Sequence, residues 1–221
     1  MKKIVVLGGG LHCLYCINIL ETMGSHDIVG LVDSALEIGS QQHGYRVIGR
    51  QEKLAELVTE FDITGCVIAL GDNCERWEAY KQIKQLTPEI DLINVIHPTA
   101  ILCKEVILGE GIILGPGVII SPGCSLGHVV NIANGVSLGT QNQLEDCVSI
   151  SVGSRTGGRV HIGALSAITM GVTIVDRLSI GANTVVGAGS LVLSNLGDDL
   201  LAYGNPARAI RRRKKGERFL N

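Results

Sequence analysis

Thr140, Gln141, Asn142 and Gln143 form a run of four polar residues inside a stretch that is otherwise aliphatic, glycine-rich and regular. Neither a threonine hydroxyl nor a glutamine amide titrates near neutral pH, so neither serves as a general base there. Groups that can take a proton lie nearby in sequence: Glu145, Asp146, His128 and His161. A second cluster opens the chain. "VVLGGGLHC" reads as a strand, a glycine-rich turn and a helix start, whose free amides can cradle a phosphate. It is not a dinucleotide fingerprint, because the third glycine of that motif would fall on Cys13. Asp33 and Ser34 end a second apolar run, and Gly71, Asp72 and Asn73 end a third. The carboxyl ends of parallel strands are where open sheets place ligands, so Gly8, Gly10, Leu11, His12, Asp33, Ser34, Gly71, Asp72 and Asn73 form one candidate binding edge. The plainer alternatives are a tight turn at Gly8 and Gly10, a turn cap at Asp33 and a helix-end hydrogen bond at His12.

The elements that must position these groups fall into two parts. Over residues 1–95, short apolar runs at Ile4–Leu7, Ile28–Val32, Cys66–Leu70 and Leu92–Val95 alternate with helical patterns at about 11–23, 51–60 and 75–87. That alternation predicts a parallel sheet with right-handed crossovers. From Ile96 the period becomes six. Of the seventeen positions 96, 102, 108 and onward to 192, all but Thr156 are aliphatic, with no insertion. A six-residue period fits neither an amphipathic helix nor a hairpin array; it predicts a β-solenoid with one inward aliphatic per flat face.

Composition agrees: 29 glycines, 46 % hydrophobic and only 3 % aromatic residues suit a repetitive fold packed with small aliphatics. A net charge of −2 argues against general nucleic-acid binding. No apolar run is long enough for a signal peptide or membrane span, and seven cysteines without a spaced framework suit a reducing cytoplasm. Cys13 and Cys16 read as buried helix thiols, and no metal site is expected.

The hexad pattern, with the exit segment "YGNPARAI", resembles the hexapeptide-repeat acyltransferases. "VVLGGGLHC", "GLVDS", "VIALGDNCER" and "VIHPTAIL" narrow the resemblance to sugar O- and N-acyltransferases of the sialic-acid O-acetyltransferase and bacillosamine N-acetyltransferase type, over about residues 3–210. The resemblance implies a small Rossmann-like α/β domain (1–95), a left-handed parallel β-helix with three hexads per coil (96–195), and a C-terminal extension (196–221). It implies acetyl-CoA as co-substrate, a nucleotide-linked amino sugar or related sugar as acceptor, and a homotrimer. It also places Thr140 where the family carries its catalytic histidine, Gln141 on the adjoining acid, and Ser149 on a second histidine near the acyl carrier. Gly158, Met170 and Ala188 match positions lining the pantetheine slot, and Arg155 is placed to pair with a CoA phosphate.

With Thr140 and Gln141 unable to act as base, the alternatives are a substitute such as His128, a reaction carried by positioning alone, or a binding protein without catalysis. His128 shares the hexad phase of Thr140 but sits two hexads earlier, on another face, and is expected to face solvent. The basic run Arg208, Arg211, Arg212, Arg213, Lys214 and Lys215 reads as a solvated tail or as a partner for the 3′-phosphate end of CoA.

Overall fold

A computed structural model describes residues 1–219; the last two residues of the expected 196–221 extension lie outside the described residues. The front domain runs β1 (Lys2–Leu7), α1 (Leu11–Met23), β2 (His26–Val32), β3 (Gln41–Gln42), β4 (Tyr45–Gly49), α2 (Leu54–Phe61), β5 (Gly65–Ile68), α3 (Asn73–Leu86) and β6 (Asp91–Leu92). Its sheet has the order β3-β4-β2-β1-β5-β6 and is parallel except for the β3–β4 hairpin. The strands β1, β2 and β5 carry consecutive buried residues, so both their faces are covered, as crossover helices require. The sequence reading lacks the hairpin because "QQHGYRVIG" has no clean apolar alternation.

One expected strand is divided. The Ile93 amide still donates to Cys66 O of the front sheet, whereas the Val95 amide donates to Ile112 O of the solenoid. Leu92–Val95 is therefore the hand-over between domains. Asn94 secures it, its side chain donating to Gly109 O and accepting from the Ile112 amide.

Seventeen two-residue strands follow, from β7 (Val95–Ile96) to β23 (Leu191–Val192), forming a left-handed parallel β-helix. Strands pair eighteen residues apart, Leu114 with Ile132 and Ile132 with Ile150, so each coil is three hexads. Three sheets result: a first holding positions 96 to 186, a second 102 to 192, and a third 108 to 180. Their inward aliphatics make one continuous core from Ile112 to Val192. The exception in the hexad ladder has a cause. Thr156 Oγ1 accepts hydrogen bonds from the Gly139 amide and from Asn142 Nδ2 (2.7 Å), so its hydroxyl is spent inside the corner.

β24 (Leu200–Gly204) pairs with Val185–Val186 and with antiparallel β25 (Ala207–Arg212) to close the far end. The basic run is not simply solvated. Arg208, Arg211 and Arg212 lie in β25, Arg213 is buried, and the chain then returns to the front domain. There Arg218 pairs with Glu75, and the Phe219 amide donates to Asp72 Oδ2 (3.2 Å).

Candidate functional site

The glycine loop fulfils a steric demand at Gly8. Its φ is +108°, and a Cβ there would lie 2.9 Å from Ala69 O. A Cβ on Gly10 would meet nothing, so its value is at the start of α1, where no side chain caps the free amides. Asp33 Oδ1 accepts from the amides of Ala35 and Leu36, which makes the turn cap real. Gly8, Asp33 and Ser34 nevertheless border one cleft of about 280 Å³ with Gln51, Glu75 and Gln82. A wall of carboxylates and amides suits the hydroxyl and amino donors of a ribose or base.

Leu11, His12 and Gly71 open on a different hollow, of about 320 Å³, between the front domain and the first sheet of the β-helix. Tyr15, Asn131, Ser149 and Phe219 complete its wall. Tyr15 holds the two domains together by donating to Asn134 Oδ1 (2.5 Å). Asn131 Oδ1 is buried with no hydrogen-bond partner, an unmet acceptor on the wall. His12 Nε2 lies 3.4 Å from Asn131 Nδ2. Burial, and secondarily the Arg76 charge, hold His12 down to about 4, so it is a neutral imidazole at physiological pH.

Arg76 was not among the residues singled out in the sequence. It is fully buried and has no carboxylate partner among the described residues. Its Nε donates to Val129 O, one terminal nitrogen to Leu70 O and Gly71 O, and the other to Asn73 Oδ1 and Ser149 Oγ (each 2.9 Å). Asn73 also donates to the carbonyls of Leu165 and Ser166. Asp72 caps α3 by accepting from the amides of Cys74 and Glu75. Ser149, matched by resemblance to an acyl-carrier position, is here part of an interdomain clamp, its hydroxyl donating to Asn73 Oδ1 (2.5 Å).

The polar run divides by role. Asn142 is fully buried: its amide donates to Gly139 O, Thr156 Oγ1 and Gly157 O, and its carbonyl accepts from the Val160 amide. It braces the corner between the second and third sheets. We expect Asn142→Leu to leave these groups unmet and cost about 2–4 kcal/mol, read as a lower Tm. Thr140 and Gln141 are exposed at that same corner. The left-handed φ of Gln141 (58°) recurs at Glu105, Arg159 and Arg177 and is a property of the turn.

Gly158 is stacked one coil from Thr140, and its amide donates to Asp176 Oδ1 (2.7 Å). Met170 and Ala188 are exposed on the corner between the first and second sheets. Arg155 lies in an open groove of about 560 Å³ along the second sheet, with Thr156, Thr173 and Asp176. His128 does not simply face solvent. It sits at the corner between the third and first sheets, stacked on Tyr80 with ring centroids 5.6 Å apart, and accepts from the Glu110 amide. Among the described residues no group of three or more potential ligands is placed to hold a metal.

Residues 3–83 match the family model described as the PglD N-terminal domain. Over 96 % of this chain and 98 % of the other, the fold superposes on perosamine N-acetyltransferase from Caulobacter crescentus with a TM-score of 0.89 and 28 % identity. The front domain thus matches the PglD N-terminal domain, and the whole chain is similar in fold to a sugar N-acetyltransferase. The Caulobacter relative is described in complex with CoA and GDP-perosamine. The fold is also shared by WeeI from Acinetobacter baumannii AYE (TM-score 0.85, 20 % identity, 95 % of this chain and all of that one). Serine acetyltransferase 2 of Arabidopsis thaliana is 39 % identical over 117 residues, 52 % of this chain. That match spans about a third (32 %) of the plant protein's length. No described helix is long and apolar enough to cross a membrane.

The neutral His12 gives the protein a testable pH dependence. Its folded pKa is lowered, so the unfolded chain binds the extra proton between about pH 6.5 and 4. Stability is undiminished above that window and falls as the pH drops through it, by up to about 3 kcal/mol at pH 4. Calorimetry of wild type against His12→Gln should show the variant losing less Tm on acidification.

Proposed function

We propose that the protein moves an acetyl group from acetyl-CoA to an amine or hydroxyl of a nucleotide-linked sugar, as a homotrimer in the cytoplasm. The observation that carries this reading is the hollow between domains, where an unmet acceptor, Asn131 Oδ1, and a neutral imidazole, His12, share one wall. The neutral imidazole repels no incoming amine, and Asn131 stands beside it on the same wall. The cleft at Asp33 and Ser34, at the end of the same sheet, suits the nucleotide. Arg155, exposed in its groove, suits a phosphate of CoA. Ile101, Ile107 and Ile119 are exposed on the outer faces of the early coils, an apolar surface that two further copies would cover. The thiols are free, as a reducing compartment keeps them.

Acetyl transfer requires no redox step. The acceptor bonds to the thioester carbonyl carbon, the carbon–sulfur bond breaks, and the acceptor proton leaves on the CoA thiol. In the trimer, one copy supplies positioning through Asn131 and His12, and a neighbouring copy's Thr140 corner supplies hydrogen bonds from Thr140 and Gln141 without a titrating group. Titration calorimetry with acetyl-CoA and CoA, then turnover over a panel of UDP-, GDP- and dTDP-amino sugars, tests the proposal. Failure to bind acetyl-CoA would overturn it. The polar Thr140–Gln141 pair favours a second reading, a ligand-binding relative without turnover. Binding without transfer, with transfer gained in the Thr140→His, Gln141→Asp double variant, would establish that reading instead.

A further inference from the structure

One position breaks the solenoid's own rule. The residue after the inward aliphatic is glycine at 127, 163 and 181 on the corner that leaves the third sheet, but at 145 it is glutamate. Glu145 Oε2 accepts from the Ala164 amide (2.9 Å), a brace that aspartates provide elsewhere, as Asp146 does for His128 and Asp198 for Ala182. Its other oxygen has no such duty. Glu145 Oε1 lies 3.0 Å from His161 Nε2, and Ser179 Oγ lies 3.2 Å from His161 Nδ1.

His161 and Ser179 stand on the outer face of the third sheet, where Gln143, His161 and Ser179 stack one coil apart, and Glu145 reaches His161 from the adjoining corner. His161 also lines a hollow of about 410 Å³ with Gln141, Gln143 and Arg159, so it opens on the corner that carries Thr140 and Gln141. Glu145 and Arg159 are the charged groups that face it there. A carboxylate at Nε2 fixes the tautomer with hydrogen on Nε2 and leaves the Nδ1 lone pair as the proton-accepting side. The weak Ser179 contact shows that an O–H already fits at that lone pair.

We infer that His161, oriented by Glu145, is the general base of this protein, acting from the neighbouring strand in place of the absent histidine at the Thr140 corner. The inference rests on the acetyltransferase reading. As the acceptor nitrogen or oxygen bonds to the thioester carbon, its proton passes to His161 Nδ1, directly or through Ser179 Oγ. The carbon–sulfur bond breaks and the thiolate takes that proton, leaving His161 neutral.

The test compares full-length wild type, H161Q, E145Q and H128Q. All three substituted side chains are at least partly exposed, so folding should survive, and Tm checks it. We expect unchanged acetyl-CoA binding by calorimetry, a fall in kcat of about 100-fold or more in H161Q, and about tenfold in E145Q. H128Q should match wild type. The acid limb of the wild-type pH–kcat profile should disappear in H161Q, an effect that a purely structural role would not produce. Wild-type turnover with H161Q within threefold of it, and the same profile, would overturn the inference while leaving the transferase reading intact. No acetyl-CoA binding, or no transfer to any acceptor, would overturn both.

Discussion

Replacing Arg76 with methionine is expected to lower stability by about 3–5 kcal/mol and Tm by about 10 °C. The guanidinium brings all five of its donors to the carbonyls of Leu70, Gly71 and Val129, to Asn73 Oδ1 and to Ser149 Oγ. Removing it relieves the cost of a buried charge but strands a set of buried acceptors, each worth roughly 1–3 kcal/mol. The stranded acceptors outnumber the one relieved charge, so the net effect is loss. A second readout follows from electrostatics. His12 is held at about 4 partly by the Arg76 charge, so its titration, followed by NMR at a temperature where the variant is folded, should move upward. An unchanged Tm would mean that the two domains are held together chiefly by apolar contact.

The second large effect is steric. Gly139 precedes Thr140, and a Cβ there would overlap Gly157 O and approach the Gly158 nitrogen at 2.8 Å. Every atom in the way is backbone, so no rotamer can yield. Gly139→Ala should cost about 3 kcal/mol by pushing adjacent coils apart. Gly153→Ala is the control. Gly153 also turns a corner, with φ +70°, but its Cβ would meet nothing, so only the left-handed conformation is penalised, by about 1 kcal/mol. A loss at Gly139 no larger than that at Gly153 would show that adjacent coils yield to the added Cβ.

The solenoid was legible because its signal is local: one inward aliphatic every six residues, repeated without a slip, records a packing rule in the sequence itself. The front domain's central strands and all three helices were legible for a similar reason, their apolar periods being their own. Arg76 left no such trace. Its partners in the solenoid, Val129 and Ser149, lie 53 and 73 residues away, and nothing in "NCERWE" distinguishes a buried arginine from a solvated one. The returning tail was equally hidden, since Phe219 finds Asp72 across 147 residues. His161 and Glu145 stand between these cases. An eighteen-residue coil stacks 161 on 143, and a glutamate at a glycine position is visible in the repeat. That its second oxygen reaches the imidazole is fixed by the fold alone. Asn142 shows the opposite error, a polar residue in a suggestive run whose work is entirely architectural.

The uninterrupted hexad makes the β-helix behave as a ruler. Deleting six residues would rotate everything downstream by one face, so that a group on the third sheet would appear on the second. Deleting eighteen would restore every face and shift the downstream groups by one coil, about 4.8 Å along the axis. The Thr140 corner and the groove at Arg155 are thus set at graduated heights above the front domain, and the reach between them could be lengthened or shortened in coil-sized steps without redesigning a single corner.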